Sequence, residues 1–453
     1  MRTAVLAVLS LVVSACASAP VPVNQPLKLG GSSTPPAVDL PDSDPVVLAF
    51  SGGGARAASF SYGALLGLRE TRAADGQRLI DHVALVTAVS GGSITAAWFG
   101  QHGPDGLDGF RAAALDKDWT SQLNSNWAPT SWVGLLNGGI NGPAKLSGWL
   151  DREIYHGARL ADLRAGPRIL LNATDLYTGA TFAFARPWFD AICSNPGEVR
   201  VADAVAASMA VPLGFRSVVV ASYPDACPVT LPDWTEAASK DSSTAVLRST
   251  ARAFEMYRDP ARMKYLHLAD GGVVDNFGLT ALSLLRKTSA TPWGPLSRED
   301  AVKLHSLTVL VVNAEMSPEG DWPLSASGPG GGEVLGAALD DAINAAKRNA
   351  YDAFGLTLAD WRRDLVAWRC SLSASEVQAL GAPAEGWRCD DVGMRLDMLS
   401  FADLSPDLYR ELGSAPTRVS LPPALVDDLI KAGRNGVVAN GAIKQLMSGA
   451  PMN

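Results

Sequence analysis

The sequence predicts an α/β protein with three layers, in which helices cover both faces of a mostly parallel central sheet. Short apolar runs of strand length recur between residues 46 and 312, and helix-length segments lie between them. The runs are apolar along their whole length, which is typical of strands that are buried on both faces. Strands that alternate with helices favour crossover connections, and these connections produce a parallel sheet.

The predicted elements follow one another in a regular order. The first strand, Val46–Phe50, ends at a glycine-rich loop, and a helix follows from about Ala57 to Arg72. The second strand, Val83–Val89, ends at Gly91 and is followed by a helix over Ile94–Phe99. The later elements are the strand Pro167–Asn172, the helix Ala202–Met209, the strand Tyr265–Ala269, the helix Phe277–Lys287 and the strand Leu307–Val312.

Past about residue 320 the pattern becomes helical and irregular. We therefore predict an α/β domain over residues 44–320 and a mostly helical C-terminal extension over 321–453 that packs on it. The chain contains enough apolar side chains for a large core, since 47% of its 453 residues are hydrophobic. With 38 basic and 46 acidic side chains the net charge is −8, which excludes nucleic acid as a partner held by bulk positive charge.

The N-terminus predicts an exported lipoprotein. Arg2 precedes an apolar stretch over Val5–Val13 that is too short to span a bilayer, and small residues then lead to Cys16. The segment resembles a bacterial lipobox, so we predict a signal peptide over residues 1–15 and attachment of palmitate or a similar acyl chain at Cys16. The alternative is an ordinary signal peptide that is cleaved at another small residue.

The location expected from this segment is the cell envelope. Ala17, and not aspartate, follows the cysteine, which resembles the outer-membrane address of Gram-negative lipoproteins. The outer membrane or periplasm is therefore favoured over the inner membrane, and the lipid anchor makes the membrane an expected partner. Residues 16–43 are rich in proline and small residues, which predicts an extended tether between the anchor and the domain.

Four cysteines follow Cys16: Cys193, Cys227, Cys370 and Cys389. An even number of cysteines in an exported chain favours disulfide bonds. Among the three possible pairings, proximity in the sequence favours Cys193–Cys227 and Cys370–Cys389. Buried free thiols are the alternative, and no cysteine or histidine spacing typical of a metal site is present.

The loop after the first strand has the composition of an anion-binding turn. Gly52, Gly53 and Gly54 lie between this strand and the helix that follows. Successive N–H groups in such a loop, at the positive end of a helix, can hold a phosphate or a transient oxyanion. A tight turn without a ligand would have the same pattern.

Ser90 is a candidate nucleophile, and Asp270 is a candidate base. Ser90 joins an apolar strand to an apolar helix in a segment close to the pattern Gly-X-Ser-X-Gly, which lifts a serine above the sheet. Asp270 ends the fourth predicted strand and is followed by glycines, with Asp275 and Asn276 just beyond as residues that would orient the loop. Since the carboxyl ends of parallel strands open into one crevice, we expect these groups to meet there.

These three motifs, in this order, resemble the patatin-like phospholipases over roughly residues 44–315. Ser51–Ala57 is similar to the glycine-rich oxyanion loop of that family, Ser90 to its nucleophile, and Asp270–Gly272 to its Asp-Gly-Gly/Ala motif. Two further segments resemble the family: Asn172–Gly179 and Ala207–Phe215. Residues 321–453 carry no such resemblance.

The resemblance implies a lipid acyl hydrolase of the phospholipase A or lysophospholipase type, with a Ser–Asp dyad. Asp270 would accept the proton of Ser90 as the serine attacks an ester carbonyl, and the N–H groups of Gly52–Gly54 would bind the oxyanion. The implied substrate is a membrane lipid or another acyl ester, and no metal or organic cofactor is implied. Arg56 would orient the loop or contact a phosphate, and a solvated arginine at a helix start is the alternative.

Ala57 and Ala88 depart from the family pattern, because each stands where the family has glycine. The substitution matters only where the backbone needs a positive φ. Four tryptophans crowd the stretch before the third strand, and they predict either an interfacial lid or packing in the core. They are Trp119, Trp127, Trp132 and Trp149.

Two other functions stay open at the level of sequence. Ser90, Asp270 and His305 occur in the chain order of a Ser-Asp-His hydrolase triad, although the position of His305 before the fifth strand favours a surface role. A non-catalytic, lipid-binding envelope lipoprotein would have the same fold. The joint presence of Ser90, Asp270 and the glycine loop favours an enzyme.

Overall fold

A computed structural model describes residues 21–28, 40–119, 143–164, 166–212, 214–240, 244–316, 322–383 and 385–450. Cys16, Trp127 and Trp132 lie outside these residues. Among the described residues, eight strands form one sheet: β1 Val46–Phe50, β2 Val83–Val89, β3 Arg168–Asp175, β4 Ala180–Ala183, β5 Val218–Ala221, β6 Tyr265–Asp270, β7 Ser306–Asn313 and β8 Gly393–Ser400.

The helices of the described residues surround this sheet, joined by short 3₁₀ and π turns. They are α1 Gly54–Glu70, α2 Gly91–His102, α3 Pro143–Leu150, α4 Trp188–Ala191, α5 Val201–Ser208, α6 Asp233–Lys240, α7 Ala245–Tyr257, α8 Leu279–Lys287, α9 Arg298–Lys303, α10 Gly331–Arg369, α11 Ala374–Ala379, α12 Pro406–Gly413, α13 Pro423–Ala439 and α14 Gly441–Ser448. None of them is both long and apolar enough to cross a bilayer.

The predicted α/β fold is confirmed. The strand order is β5-β6-β3-β2-β1-β7-β8, with β4 paired to β3, and the five strands from β3 to β8 in this order are parallel. The remaining pairings, of β4 and β6 with β3 and of β5 with β6, are antiparallel. The sequence did not predict β4 and β5, which have four residues each, or β8, whose side chains are largely half-buried.

Each face of the sheet is covered by its own set of helices. Side chains alternate along a strand, so Leu48 and Phe50 of β1 lie on one face, in a core with α1, α2 and α13. Ala49 lies on the other face, where Phe354 and Trp361 of α10 pack with α8. Burial on both faces explains why the central strands are continuously apolar in the sequence.

The C-terminal segment is built into the sheet. β8 pairs in parallel with β7 along its full length, from Ser306 opposite Gly393 to Asn313 opposite Ser400. We expected a mostly helical extension that packs on the domain, and this strand was missed because its half-buried positions include charged residues. The segment also contributes α13, which lies along α1 so closely that Gly433 touches the α1 backbone.

The predicted tether over residues 16–43 is wrong for the part that the structure describes. Val23 N–H donates to Val219 O of β5 at 3.0 Å, and the buried Asn24 side chain makes two hydrogen bonds with the backbone of Ala221. Leu27 N–H donates to Cys193 O at 2.8 Å. Residues 21–28 therefore pack on the domain beside the edge strand β5, although their proline-rich composition favours an extended chain.

The described part of the chain contains two disulfide bonds, Cys193–Cys227 and Cys370–Cys389. The first lies beside the docked N-terminal segment, because Leu27 is bonded to the backbone of Cys193. The second links Cys370, at the end of α10, to the segment before β8. Both bonds thus constrain segments at the edges of the sheet.

Two of the four tryptophans considered for an interfacial lid are core residues instead. Trp119 and Trp149 are 2% and 1% exposed, and their ring centroids lie 4.0 Å apart. Trp119 Nε1 donates to Ala114 O at 2.8 Å, so its polar atom is also satisfied inside the protein. These two rings are not available at an interface.

The contact between α1 and α13 gives a stability prediction. A Cβ atom at Gly433 would lie 2.2 Å from Phe60 O and 2.9 Å from Ala64 N, which are backbone atoms that cannot rotate away. We expect Gly433→Ala to lower the free energy of unfolding by about 1–3 kcal/mol in urea denaturation. Gly336→Ala in α10 is the control, since nothing lies within 4 Å of its Cβ position.

The control should be neutral or stabilising by up to about 1 kcal/mol, because alanine has the higher helix propensity. Equal effects of the two variants would contradict a close contact between α1 and α13.

Candidate active site

The site lies where two strands meet end to end along one edge of β3. β2 pairs with β3 as far as Asn172, opposite Val89, and β6 pairs with it from Ala173, opposite Asp270. β4 pairs with both Asn172 and Ala173, so it occupies the other edge. The carboxyl ends of β2 and β6 therefore face each other, which brings Ser90, the residue after Val89, next to Asp270.

This arrangement corrects the expected route to the site. We expected Asp270 to reach the crevice at the end of a parallel strand, but β6 runs antiparallel to β3. The two residues meet because their strands approach from opposite directions along one edge. Ser90 and Asp270 are therefore adjacent although β6 is antiparallel to β3.

Ser90 has a strained backbone that nearby groups hold in place. Its φ of 50° and ψ of −123° are rare for a residue with a side chain. Its N–H donates to Ser208 Oγ of α5 at 2.8 Å, and Ser208 Oγ donates to Asn172 O at 2.6 Å. Gly91 is required beside it, because a Cβ there would lie 2.0 Å from Gly54 O.

Ser90 and Asp270 form a direct hydrogen bond. Ser90 Oγ donates to Asp270 Oδ2 at 2.7 Å, and Gly272 N–H donates to Asp270 Oδ1 at 2.8 Å. Both residues are only 6% exposed. Burial raises the pKa of Asp270 to about 6, and the hydrogen bonds from Ser90 and Gly272 offset only part of this effect.

The glycine loop lies against this pair, but only two of its three glycines keep an N–H without an acceptor. Gly52 N–H donates to the backbone and side-chain oxygens of Asn276, each at 3.2 Å, which corrects its predicted role as an oxyanion donor. Gly53 and Gly54 have positive φ angles of 139° and 59°. Within the described residues, their N–H groups have no acceptor.

The two alanines that depart from the family pattern cause no strain. Ala57 lies inside α1 and Ala88 inside β2, and neither has a positive φ. The backbone at both positions is thus compatible with alanine.

The loop beyond Asp270 is fixed by Asp275, whose buried carboxylate accepts N–H groups from Phe277 and Gly278.

Arg56 is neither solvated nor open to a ligand. It is 3% exposed, and its Nε donates to Ala314 O at 3.1 Å. One of its terminal nitrogens donates to Ala415 O and the other to Thr417 Oγ1. These hydrogen bonds join α1 to a C-terminal segment, so the solvated position considered for Arg56 is wrong.

In the part of the chain that the structure describes, no histidine forms a hydrogen bond with Ser90 or Asp270. His305 precedes β7 and is therefore at the opposite end of the sheet from Ser90, where its Nδ1 lies 2.8 Å from Asp44 Oδ1. The triad with His305 is incompatible with this placement. The described residues also contain no cluster of three or more histidine, cysteine or acidic side chains arranged to hold a metal ion.

Three residues that contribute to the site have no signal in the sequence that links them to it. Ser208 lies in a segment that resembles the family, but nothing in the sequence links it to Ser90. Thr417 and Arg418 lie outside the resemblance altogether, and Arg418 O accepts Ala55 N–H at 2.7 Å beside the glycine loop. Contacts between residues more than 100 positions apart leave no local signal that would have revealed them.

A family model supplies the decisive comparison. The model of the patatin-like phospholipases matches residues 48–283, just over half of the chain. The chain belongs to the patatin-like phospholipase family. The matched span contains the glycine loop, Ser90 and Asp270, and it ends before β7, β8 and α13.

Two solved structures show distant similarity to this family member. Human GIVD cytosolic phospholipase A2 is 12% identical with a TM-score of 0.32, and the match covers 60% of this chain and 46% of that one. VipD from Legionella pneumophila is 13% identical with a TM-score of 0.34, with coverage of 97% and 73%. The chain therefore spans less than half the length of the human protein. No curated protein sequence matches the chain.

The buried carboxylate of the site gives a prediction about stability. Burial raises the pKa of Asp270 from 3.8 to about 6 in the folded protein, so the folded state favours the protonated carboxyl more than the unfolded state does. The stability that this preference contributes is complete below pH 4 and is lost as the pH rises through 6. We expect Asp270→Asn to be more stable than wild type at pH 8 by about 3 kcal/mol, at about 1.4 kcal/mol per pKa unit.

Urea denaturation between pH 4 and pH 8 measures this difference, which should shrink as the pH falls. Ser90→Ala is the matched control, since it removes the hydroxyl and keeps the carboxylate. Parallel pH dependences of wild type and Asp270→Asn would contradict a raised pKa.

Proposed function

We propose that the chain is a lipid acyl hydrolase in which Ser90 is the nucleophile and Asp270 the general base. The observation that carries this proposal is the 2.7 Å hydrogen bond from Ser90 Oγ to Asp270 Oδ2 at a strained strand-to-helix turn. A serine needs a base within hydrogen-bond reach, and Asp270 is the acceptor of this hydroxyl proton. A non-catalytic lipid-binding protein would not need this geometry.

The reaction proceeds in two steps, acylation of Ser90 and hydrolysis of the acyl-serine. Ser90 Oγ transfers its proton to Asp270 as it bonds to the ester carbonyl carbon, and the alcohol leaves with that proton, so that an acyl-serine remains. Water then donates a proton to Asp270 and attacks the acyl-serine. Collapse of this second intermediate returns the proton to Ser90 and releases the fatty acid.

Backbone N–H groups stabilise the oxyanion of each tetrahedral intermediate. Gly53 and Gly54 supply donors from the glycine loop, and Gly91 supplies the N–H that follows the nucleophile. Within the described residues none of these three has another acceptor, and the N-terminus of α2 adds its positive dipole end. Loss of one such donor typically costs about 10²–10³-fold in rate.

Burial of Asp270 suits this role. An exposed aspartate is too weak a base to take a serine proton readily, and a pKa of about 6 makes the carboxylate more basic while it stays ionised at neutral pH. Activity should therefore be lost as the pH falls through about 6. A histidine base would cause a similar loss of activity at low pH, so the pH dependence of the rate does not by itself identify the base.

Substitution identifies the base. We expect Ser90→Ala and Asp270→Asn each to lower turnover of a soluble acyl ester by about 10³-fold or more, because each removes one half of the proton-transfer pair. The double variant should be hardly worse than either single variant. His305→Ala is the control and should remain within about tenfold of wild type.

Steady-state kinetics and labelling by a fluorophosphonate measure these effects, with circular dichroism to confirm folding. An active Asp270→Asn variant together with an inactive His305→Ala variant would contradict the proposed dyad. Absence of labelling in the wild type would favour a non-catalytic lipid-binding protein.

We further propose that the hydrolase is anchored to a membrane through Cys16, on the basis of the lipobox-like segment. Because residues 21–28 pack on the domain, the connection between Cys16 and the domain would be short. Val21 is five positions after Cys16, so the anchor would lie within about 18 Å of the docked chain even when the connection is fully extended. The domain would then remain close to the lipid surface, and the substrate would be a lipid of the envelope.

We expect Cys16→Ser to move the protein from the membrane fraction to the soluble fraction. Ser18→Ala, which leaves the cysteine in place, is the control. Mass spectrometry of the mature N-terminus measures the modification directly. An unmodified mature N-terminus at a residue other than Cys16 would rule out the anchor.

A further inference from the structure

Two exposed apolar side chains lie on segments that adjoin Asp270. Asp270 N–H donates to Ala210 O at 2.9 Å, and Val211 follows Ala210 with 44% of its surface exposed. Val273, three residues beyond Asp270, is 40% exposed. Large apolar side chains exposed on both segments that adjoin a catalytic carboxylate form a surface suited to an acyl chain.

Residues 415–418, which we call the C-terminal loop, lie against the glycine loop. Arg418 O accepts Ala55 N–H at 2.7 Å, and it would lie only 2.3 Å from a Cβ atom at Gly54. Gly54 in turn touches Gly91, the residue after the nucleophile. The backbone of Arg418 is therefore two close contacts away from Ser90.

Arg56, the cation that the sequence offered for a phosphate, is enclosed by this same loop. Its guanidinium donates to Ala314 O, Ala415 O and Thr417 Oγ1, and it is 3% exposed. These acceptors occupy its nitrogens and keep it away from solvent. Arg56 holds the C-terminal loop against the glycine loop, and an anionic group of the substrate needs another partner.

Arg418 provides a cation at this position. Its side chain is exposed, and within the described residues it has neither a carboxylate partner nor a hydrogen bond. Its fixed contact with the glycine loop is made by its carbonyl oxygen, which leaves the guanidinium available. Three other exposed arginines of the C-terminal segment, by contrast, have an ion-pair partner: Arg388, Arg410 and Arg434.

We propose that Arg418 binds the phosphate of a glycerophospholipid substrate while the acyl chain lies over Val211 and Val273. This inference rests on the proposed hydrolase function and adds a residue that determines its specificity for a phosphate-bearing ester. A guanidinium matches two phosphate oxygens through parallel N–H donors. In a glycerophospholipid only the glycerol unit separates the phosphate from the scissile ester, so an arginine beside the oxyanion loop is at the appropriate position.

Two soluble esters with the same acyl groups test the proposal. Dihexanoylphosphatidylglycerol carries the phosphate, and dihexanoylglycerol does not. We expect Arg418→Ala to raise KM for the phospholipid by about tenfold or more, with kcat changed much less, because a charge-assisted contact is lost. Turnover of dihexanoylglycerol, which has no phosphate, should fall much less than turnover of the phospholipid, since the substitution keeps the Arg418 carbonyl that accepts Ala55 N–H, and circular dichroism checks that the variant is folded.

Arg410→Ala is the matched control, because Arg410 is an exposed arginine of the same segment that pairs with Asp407. Its kinetics on both esters should equal those of wild type. Arg418→Lys should lie between wild type and Arg418→Ala, since lysine keeps the charge and loses the paired donors. Equal losses on the two esters, or no loss on either, would overturn the assignment of Arg418.

Calorimetric binding of dihexanoylphosphatidylglycerol to Ser90→Ala protein separates this inference from the proposed function. Adding Arg418→Ala should weaken that binding by about tenfold or more, and unchanged binding would overturn the inference. A wild-type protein that hydrolyses neither ester would refute the hydrolase, and the binding measurement would still decide whether Arg418 recognises the phosphate.

Discussion

The hydrogen bond between Ser90 and Asp270 depends on one feature of the sheet, the end-to-end meeting of β2 and β6 along the edge of β3. At this junction Ser90 and Asp270 are both buried, and the pairing of β2 with β3 ends where the pairing of β6 with β3 begins. The strained backbone of Ser90 is sustained there by Ser208 and by glycines that allow backbones to touch. The remainder of the site is arranged around this junction.

The residues that complete the site come from beyond the span of the family model. Gly53 and Gly54 belong to that span, but the loop that holds them in place is residues 415–418, and Arg56 connects the two. β8 and α13 attach the same C-terminal segment to β7 and α1. The position of the glycine loop is therefore coupled to the packing of the C-terminal segment, so this segment is a structural part of the site.

In the proposed mechanism, burial of the Asp270 carboxylate makes the folded protein less stable and the base stronger. Burial favours its neutral form and raises its pKa to about 6, which weakens the fold at neutral pH and strengthens the base. Its two hydrogen-bond donors are too few to compensate for the loss of water. Asp275, five residues away, accepts N–H groups from Phe277, Gly278 and Thr280, and its role is to shape the loop.

The sequence by itself determined the central strands, the glycine loop, and Ser90 and Asp270 as candidates, because continuous apolar runs and glycines at strand ends are local signals. Only the tertiary structure decided that β6 is antiparallel, that Gly52 already donates to Asn276, that residues 21–28 dock on β5, and that Arg418 adjoins Gly54. These features join segments far apart in the chain, and their energies depend on distances and burial that no short stretch of sequence encodes.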